Sequence, residues 1–131
     1  MSYYFSTTVS GDFDKVLSRV VAALQEQGFG IITEIDVKET LRKKLNIGFR
    51  NYRILGACNP GFAYEALQIE DKVGTMLPCN VVVQETMGGL IEVAAIDPSA
   101  SMQAIDNPKL KQVAATVGEK LKKVIEAVGR N

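Results

Sequence analysis

The sequence predicts an α+β fold: a two-layer sandwich in which helices cover one face of a mixed, mostly antiparallel sheet. Short runs of β-branched and aromatic residues alternate with helical patterns in the order β-α-β-α-β-α-β-β-α. The chain has 131 residues, of which 47% are hydrophobic, and this is enough for one packed core. We therefore predict a single domain over residues 1–131.

The first elements are predicted to be a strand, a helix and a second strand. Residues 3–9 are rich in aromatic and β-branched side chains, which favours a strand. The following helix begins near Asp12, carries one apolar stripe, and is expected to end at Gly28 because glycine accepts the left-handed conformation. Residues 30–35 are predicted as the second strand. Asp36 then resembles the start of a capping box for a short helix.

The centre of the chain joins a strand directly to a helix. Residues 46–51 are a connection that contains glycine and asparagine, and residues 52–58 are predicted as a buried strand. Asn59 is a good N-cap and Pro60 a good first helical residue, so a helix is expected immediately after Cys58. Cys58 is therefore predicted at a strand-to-helix junction.

The next segment is predicted to be a loop followed by a hairpin. Residues 71–76 form the loop, and residues 80–84 and 90–96 have the composition of two strands. The Met-Gly-Gly sequence at 87–89 suits the turn of an antiparallel hairpin. Cys79 lies just before this hairpin.

The C-terminal segment is predicted to be one long helix that starts at Asn107 and Pro108. Its apolar side chains alternate by four and three residues, at Leu110, Ala114, Val117, Leu121, Val124 and Val128. Such a seam packs either on the sheet of its own domain or on a partner's helix. We favour the first interpretation, because one domain needs long amphipathic helices to cover its sheet.

Composition removes most of the common enzyme classes. The chain has no histidine, which excludes Ser-His and Cys-His nucleophile pairs, histidine-based metal sites and the usual proton-transfer residue near neutral pH. The glycines lack the spacing of a phosphate-binding or dinucleotide-binding loop. No pair of carboxylates has a spacing that assigns acid and base roles. The sequence thus favours a binding protein over an enzyme and indicates no particular cofactor.

Charge and hydropathy favour a cytoplasmic protein. Fifteen basic and fifteen acidic residues balance, so no overall field draws the chain to nucleic acid or to a membrane. No apolar run approaches the ~20 residues of a membrane span, and the N-terminus lacks the pattern of a signal peptide. We expect neither nucleic acid nor a membrane as a partner, and we expect the cysteines to be reduced.

A local basic cluster consists of Arg42, Lys43 and Lys44, with Arg50 and Arg53 downstream. Such a cluster either binds an anionic ligand or is the solvated face of a short helix. The zero net charge of the chain favours the solvated face.

The candidate site of the chain is a pair of similar peptides, residues 56–60 and 77–80, which contain its only two cysteines. Each places a thiol beside an asparagine and a proline at the edge of an apolar run, so the two sulfurs are expected at one site on neighbouring strands. The candidate ligand-binding residues are Cys58, Asn59, Pro60, Cys79 and Asn80.

These candidate residues have alternative interpretations. Free cysteine is among the most buried residue types, which favours an inert role in the core. A helix N-terminus stabilises a thiolate, which instead favours a reactive Cys58. Two thiolates without histidine make an incomplete zinc site, so a metal is left open and needs carboxylates or a second subunit. Asn59 and Asn80 either cap backbone groups or converge on a small polar ligand.

Several motifs, spread over almost the whole chain, are similar to those of one known family. They are Gly28-Phe29, Glu34-Ile35-Asp36-Val37, Ile54-Leu55-Gly56-Ala57-Cys58-Asn59-Pro60, Ala66-Leu67, Leu77-Pro78-Cys79-Asn80-Val81-Val82-Val83 and Asp97-Pro98. With these motifs the chain resembles the bacterial and archaeal family called domain of unknown function 302. The resemblance implies a two-layer α+β domain shaped like half of a TATA-binding protein and often found as a dimer. It implies no activity, since the family has no established one.

From these observations we expect a homodimer that binds a small molecule or a sulfur species at the Cys58 and Cys79 peptides. Carriage of a thiol-bound group is one form of this function. The alternative is a structural or protein-interaction homodimer whose cysteines are buried and inert. Reactive thiols beside a pocket favour the first function, whereas a sealed pair of thiols and a large apolar surface favour the second.

Overall fold

The structure, a computed structural model, describes residues 2–130, so residues 1 and 131 of the predicted domain lie outside the described range. A 3₁₀ helix, Asp71–Met76, precedes the fourth strand. The strands and α-helices are β1 (Tyr4–Val9), α1 (Phe13–Glu26), β2 (Gly30–Asp36), α2 (Val37–Leu45), β3 (Tyr52–Cys58), α3 (Pro60–Ile69), β4 (Cys79–Glu85), β5 (Ile91–Ile96), α4 (Pro98–Ser101) and α5 (Pro108–Gly129). No helix within residues 2–130 has the length and apolar character that crossing a membrane requires.

The strands form one five-stranded sheet in the order β1-β5-β4-β3-β2, and each neighbouring pair is antiparallel. The predicted α+β class is confirmed. A mixed sheet also contains parallel neighbours, but none occurs among residues 2–130. The strands β1 and β2, which α1 connects, lie at opposite edges of the sheet and therefore do not pair.

The register between strands divides the sheet into two faces. Leu55, Val81 and Ala95 lie in one row across β3, β4 and β5, and each has 0% exposure. This row belongs to the main core together with the buried stripe of α1 and most of that of α5. We call the face of the sheet that carries this row the covered face. The helices therefore pack on one face of the sheet, as a two-layer sandwich requires.

The opposite face of the sheet, which we call the open face, carries a second apolar row. Ile35, Ile54, Val82 and Ala94 follow one another across β2, β3, β4 and β5. All four remain at least partly exposed, and Ile35 keeps 47% of its surface accessible. A sheet of this kind has one face in the core and one face towards solvent.

The seam of α5 packs inside its own chain. All six apolar residues predicted to form it are buried: Leu110, Ala114, Val117, Leu121, Val124 and Val128. Four of them belong to the main core and two, Leu110 and Ala114, to a smaller cluster with Val73 and Met102. The interpretation as core packing is therefore confirmed, and the seam is not available to a partner's helix.

The helices begin where their capping residues predict. The backbone N–H of Lys15 donates to Asp12 Oδ2 at 3.2 Å, and that of Glu39 donates to Asp36 Oδ1 at 3.0 Å. Gly28 adopts the left-handed conformation, with φ +86°, at the end of α1. Each side-chain oxygen satisfies a backbone donor that the first turn of a helix leaves unpaired.

Two segments are more regular than the sequence predicts. Residues 71–76, predicted as a loop, form the 3₁₀ helix, in which the backbone N–H of Lys72 donates to the Glu70 side chain at 3.1 Å. Val73 anchors this turn with 0% exposure. Residues 98–101 form the short helix α4, capped by Asp97, where the sequence predicts only the end of a strand.

A candidate binding cavity lined by both cysteines

A cavity of about 290 Å³ lies where β3 and β4 meet the helices of the covered face. Its walls come from β2, the C-terminal end of β3, α3, the start of β4, the end of α4 and α5. Both cysteines belong to its lining, and we therefore call it the cysteine cavity. The remaining wall is almost wholly apolar, with large side chains such as Phe29, Phe62 and Val117.

Small side chains create the space. Ala57 of β3, Ala66 of α3 and Ala114 of α5 line the cavity and are at most 3% exposed. Ala63, one turn before Ala66 along α3, is half-buried in the same wall. Because alanine ends at Cβ, the strand and the two helices leave a volume between them that larger residues would fill.

The cavity is a cleft that opens to solvent. Ile32 and Leu67 belong to its lining and yet are 60% and 41% exposed. They stand on β2 and α3, so the mouth lies between the edge strand of the sheet and this helix. Solvent therefore reaches the cavity past these two side chains.

The two cysteines sit on neighbouring strands with different exposure. Cys79 pairs with Ala57 in the ladder between β3 and β4, and Cys58 is the next residue along β3. Both thiols are free; Cys58 is half-buried and Cys79 is 8% exposed. Burial, together with the nearby Cys58 thiol, raises the pKa of Cys79 to about 11. Cys79 is therefore a neutral thiol at physiological pH.

Asn59 lies in the wall of the cysteine cavity and caps α3. Its Oδ1 accepts a hydrogen bond from the backbone N–H of Phe62 at 3.5 Å, so the predicted capping role is confirmed. Its amide nitrogen lies close to Gly28: a Cβ added there would be 3.0 Å from Nδ2. Pro60 is the first residue of α3, as predicted, but it is exposed and does not belong to the lining.

Asn80 lies on the other side of the sheet. Side chains alternate between faces along a strand, so Asn80 points to the open face when Cys79 points to the covered face. There it lines a separate cleft with Tyr4 and Tyr52. The amides of Asn59 and Asn80 therefore do not converge, and the hypothesis that they jointly orient a polar ligand does not hold.

The structure adds lining residues that the sequence analysis did not select. Met102, at the C-terminal end of α4, is 7% exposed and is a third sulfur-containing residue of the wall. Val113, Ala114 and Val117 of α5 close the side opposite β3. No local motif marks these residues, because they join the wall only through the packing of α4 on α5 and of α5 on the sheet.

Arg42 and Arg53 of the basic cluster form ion pairs within their own chain. Arg42 Nη2 lies 2.7 Å from Glu39 Oε1, and the Arg42 guanidinium lowers the pKa of that carboxyl. Arg53 pairs with both Glu34 and Asp36. These exposed pairs support the interpretation of the cluster as a solvated face rather than a dedicated anion site.

The family model described as "Domain of unknown function DUF302" matches residues 5–128. The chain belongs to the DUF302 family. A solved DUF302 structure, titled as the crystal structure of an uncharacterized conserved protein from Bacillus stearothermophilus, superposes with a TM-score of 0.90. The two sequences are 26% identical, over 98% of this chain and 99% of that chain. No curated protein matches this DUF302 chain.

Proposed function

We propose that this DUF302 protein binds a small, mainly apolar molecule in the cysteine cavity, whose wall contains both Cys58 and Cys79. The observation that carries the proposal is the combination of an open mouth, apolar walls and a volume of about 290 Å³. Binding sites for small molecules are usually concave and mostly apolar, with a few polar groups that fix orientation.

The volume limits the ligand to a compact molecule. An engineered apolar cavity of about 150 Å³ in another protein takes up benzene. The cysteine cavity is roughly twice that size, so it suits a molecule of two or three fused rings or a short acyl chain. Apart from the two thiols, Asn59 is the polar side chain in the wall, so any polar group of the ligand is expected beside it.

A narrower form of this proposal is that the protein carries a sulfur species. In this form Cys58 is the nucleophile. The thiolate is the reactive form of cysteine, and the high pKa of Cys79 disfavours its thiolate. Cys58 is more exposed and immediately precedes Asn59, the N-cap of α3. This role requires reduced thiols and therefore a reducing compartment such as the cytoplasm.

The test is a fluorescence titration of the protein with 1-aminoanthracene, an apolar probe. Ala63→Leu fills the cavity from the half-buried position on α3, whereas Ala115→Leu adds the same group at an exposed position of α5. Overfilling an apolar site costs about 1–3 kcal/mol, so Ala63→Leu is expected to weaken probe binding by between about fivefold and about 150-fold. Unchanged affinity in Ala63→Leu, or no binding by the wild type, would contradict the proposal.

A second candidate function is self-association through the open face. The apolar row Ile35, Ile54, Val82 and Ala94 supports a second copy of the chain as the occupant, because a two-fold axis through one face brings like rows together. The net charge of zero adds no long-range repulsion between copies. In this function the cysteines are inert core residues.

Light scattering tests the second candidate. The wild type is expected to have twice the mass of one chain, and Val82→Lys, which places a charge in the centre of the row, is expected to give the monomer. Ser18→Lys adds the same charge at an exposed position of α1 and is the control. A monomeric wild type, or a dimer that survives Val82→Lys, rejects the open face as the interface.

A further inference from the structure

A second cleft, of about 350 Å³, lies on the open face of the sheet, and we call it the open-face cleft. Its lining combines aliphatic residues with three tyrosines and three polar residues: Tyr3, Tyr4, Tyr52, Asn80, Gln84 and Glu92. Among the described residues, none lines both this cleft and the cysteine cavity. A ligand of the open-face cleft is therefore independent of the proposed function.

The strand register determines the shape of the open-face cleft. Val82 and Ala94 lie directly opposite each other on β4 and β5 and form its floor. Tyr52 lies two residues before Ile54, the partner of Val82, and is therefore a diagonal neighbour of Val82. Tyr4 is a diagonal neighbour of Ala94 in the same way, on β1. Diagonal neighbours are about 7–8 Å apart, within reach of an aromatic side chain. The floor is thus made of small side chains, with a tyrosine at each of two opposite corners.

Glu92 brings a negative charge to this lining. Within residues 2–130 no other lining residue is charged, and no lysine or arginine forms an ion pair with Glu92. Glu92 Oε1 accepts a hydrogen bond from Gln84 Nε2 at 3.0 Å. Gln84 Oε1 in turn accepts from Arg50 Nε at 2.9 Å, and the Arg50 guanidinium lies 4.3 Å from the centre of the Phe49 ring. A carboxylate accepts about four hydrogen bonds, so Glu92 keeps acceptor capacity for a ligand.

We propose that the open-face cleft binds an arylalkylamine, a flat aromatic ring that carries a protonated amine on a short chain. The ring lies on the floor of Val82 and Ala94. Glu92 is two residues from Ala94 along β5, about 7 Å away on the same face, so its carboxylate accepts hydrogen bonds from the ammonium group. The tyrosines add apolar surface and ring faces that attract a cation. An anionic ligand is disfavoured because it meets the charge of Glu92.

The test is a titration of the protein into tryptamine, followed by the fluorescence anisotropy of the indole. The chain has no tryptophan, so excitation beyond the absorption of tyrosine reports the ligand alone. The wild type is expected to bind tryptamine at least about tenfold more tightly than 3-indolepropionate, which has the same ring and chain length but a carboxylate. Glu92→Gln keeps an acceptor for Gln84 but removes the charge, and it is expected to weaken tryptamine binding about tenfold. Glu119→Gln makes the same charge change at an exposed position of α5 and is expected to leave binding unchanged.

Two further measurements locate the bound amine. Ala94→Leu raises the floor from a half-buried position and is expected to weaken tryptamine binding about fivefold or more, whereas Ala63→Leu alters only the cysteine cavity and is expected to have no effect. Intermolecular NOEs measured on the wild type need no variant. They are expected between the indole ring and the methyl groups of Val82 and Ala94.

Several outcomes would overturn this proposal. They are no change of anisotropy with the wild type, equal affinity for the two indoles, equal affinity in Glu92→Gln and Glu119→Gln, or NOEs to the cysteine cavity instead of the floor. An open-face dimer that Val82→Lys dissociates would also contradict it, because that dimer buries the cleft. A wild type that binds tryptamine but no 1-aminoanthracene rejects only the proposed function, and the reverse rejects only the arylalkylamine site.

Discussion

Cys79 lies directly opposite Ala57 in the antiparallel ladder between β3 and β4, and Cys58 follows Ala57 at the end of its strand. Both cysteines therefore belong to the wall of one cavity. They differ in environment, because Cys79 is 8% exposed while Cys58 is half-buried beside the N-terminus of α3. This difference leads to separate predictions for the two thiols.

The first prediction is that Cys58 is alkylated much faster than Cys79 by iodoacetamide at pH 7. A thiol with a pKa of about 11 is ionised in about one molecule in ten thousand at that pH. Mass spectrometry of the digested protein reads each site separately. Cys58→Ser is expected to remove most of the fast labelling, and Cys79→Ser little of it. If neither thiol reacts before unfolding, both are core residues and self-association is the better proposal.

The second prediction concerns stability at high pH. In the unfolded chain a cysteine ionises near pH ~8.5, but in the folded protein the pKa of Cys79 is about 11. Between these values the unfolded state has lost a proton that the folded state keeps, so the free energy of unfolding falls as pH rises. Cys58 is the titratable neighbour in the described wall, since the other lining residues carry no charge.

Urea unfolding at pH 7.5, 9 and 10.5 measures this effect, with Cys79→Ala as the reference that removes the thiol. Relative to that variant, the free energy of unfolding of the wild type is expected to fall by on the order of 2 kcal/mol between pH 7.5 and pH 10.5. If the free energy of unfolding changed with pH by the same amount in the two proteins, Cys79 would ionise normally in the folded state.

The sequence predicts those parts of the site that depend on local chemistry. Asn59 and Pro60 determine where α3 begins, and this places Cys58 at the end of β3. The strand composition around Cys79 likewise predicts that β4 begins nearby. These signals lie within a few residues of the features they define, so one sequence is enough to find them.

Other parts of the site depend on register and on packing between distant segments. Strands have a period of two, so Cys79 and Asn80 point to opposite faces of the sheet, and the prediction that both belong to one site is wrong. Met102 shares a cavity wall with the cysteines only because α4 packs on α5 and α5 packs on the sheet. No pattern near Met102 reports this contact, and a structure is needed to find it.

The third prediction tests the cap of the longest helix. Asn107 Oδ1 accepts hydrogen bonds from the backbone N–H groups of Lys109 at 2.9 Å and Leu110 at 3.2 Å. Asn107→Ala removes this acceptor and is expected to lower the free energy of unfolding by about 1 kcal/mol. Asn107→Asp keeps an acceptor and is expected to match the wild type in urea unfolding. Equal losses in both variants would show that the cap contributes nothing specific.

The fourth prediction concerns Gly56, which β2 and the start of β4 approach from either side. A Cβ at this position would lie 2.0 Å from Thr33 Oγ1 and 2.7 Å from Pro78 Cγ. Both distances are far shorter than a normal carbon contact, so Gly56→Ala must push one or both neighbouring segments away. Pro78 also lines the cysteine cavity, and the displacement therefore reaches the candidate site.

Gly56→Ala is expected to lower the free energy of unfolding by about 2 kcal/mol or more, at the upper end of the cost of overpacking. Gly48→Ala is the matched control, because a Cβ at Gly48 meets nothing within 4 Å, and its effect is expected to stay within about 0.5 kcal/mol. Adding Thr33→Ala to Gly56→Ala removes the hydroxyl but leaves Pro78 in place, so the double variant is expected to regain only part of the lost stability. Equal stability of Gly56→Ala and Gly48→Ala in urea unfolding would mean that β2 and Pro78 move away from residue 56 without a cost in stability. The end of the sheet beside the cysteines would then not be closely packed.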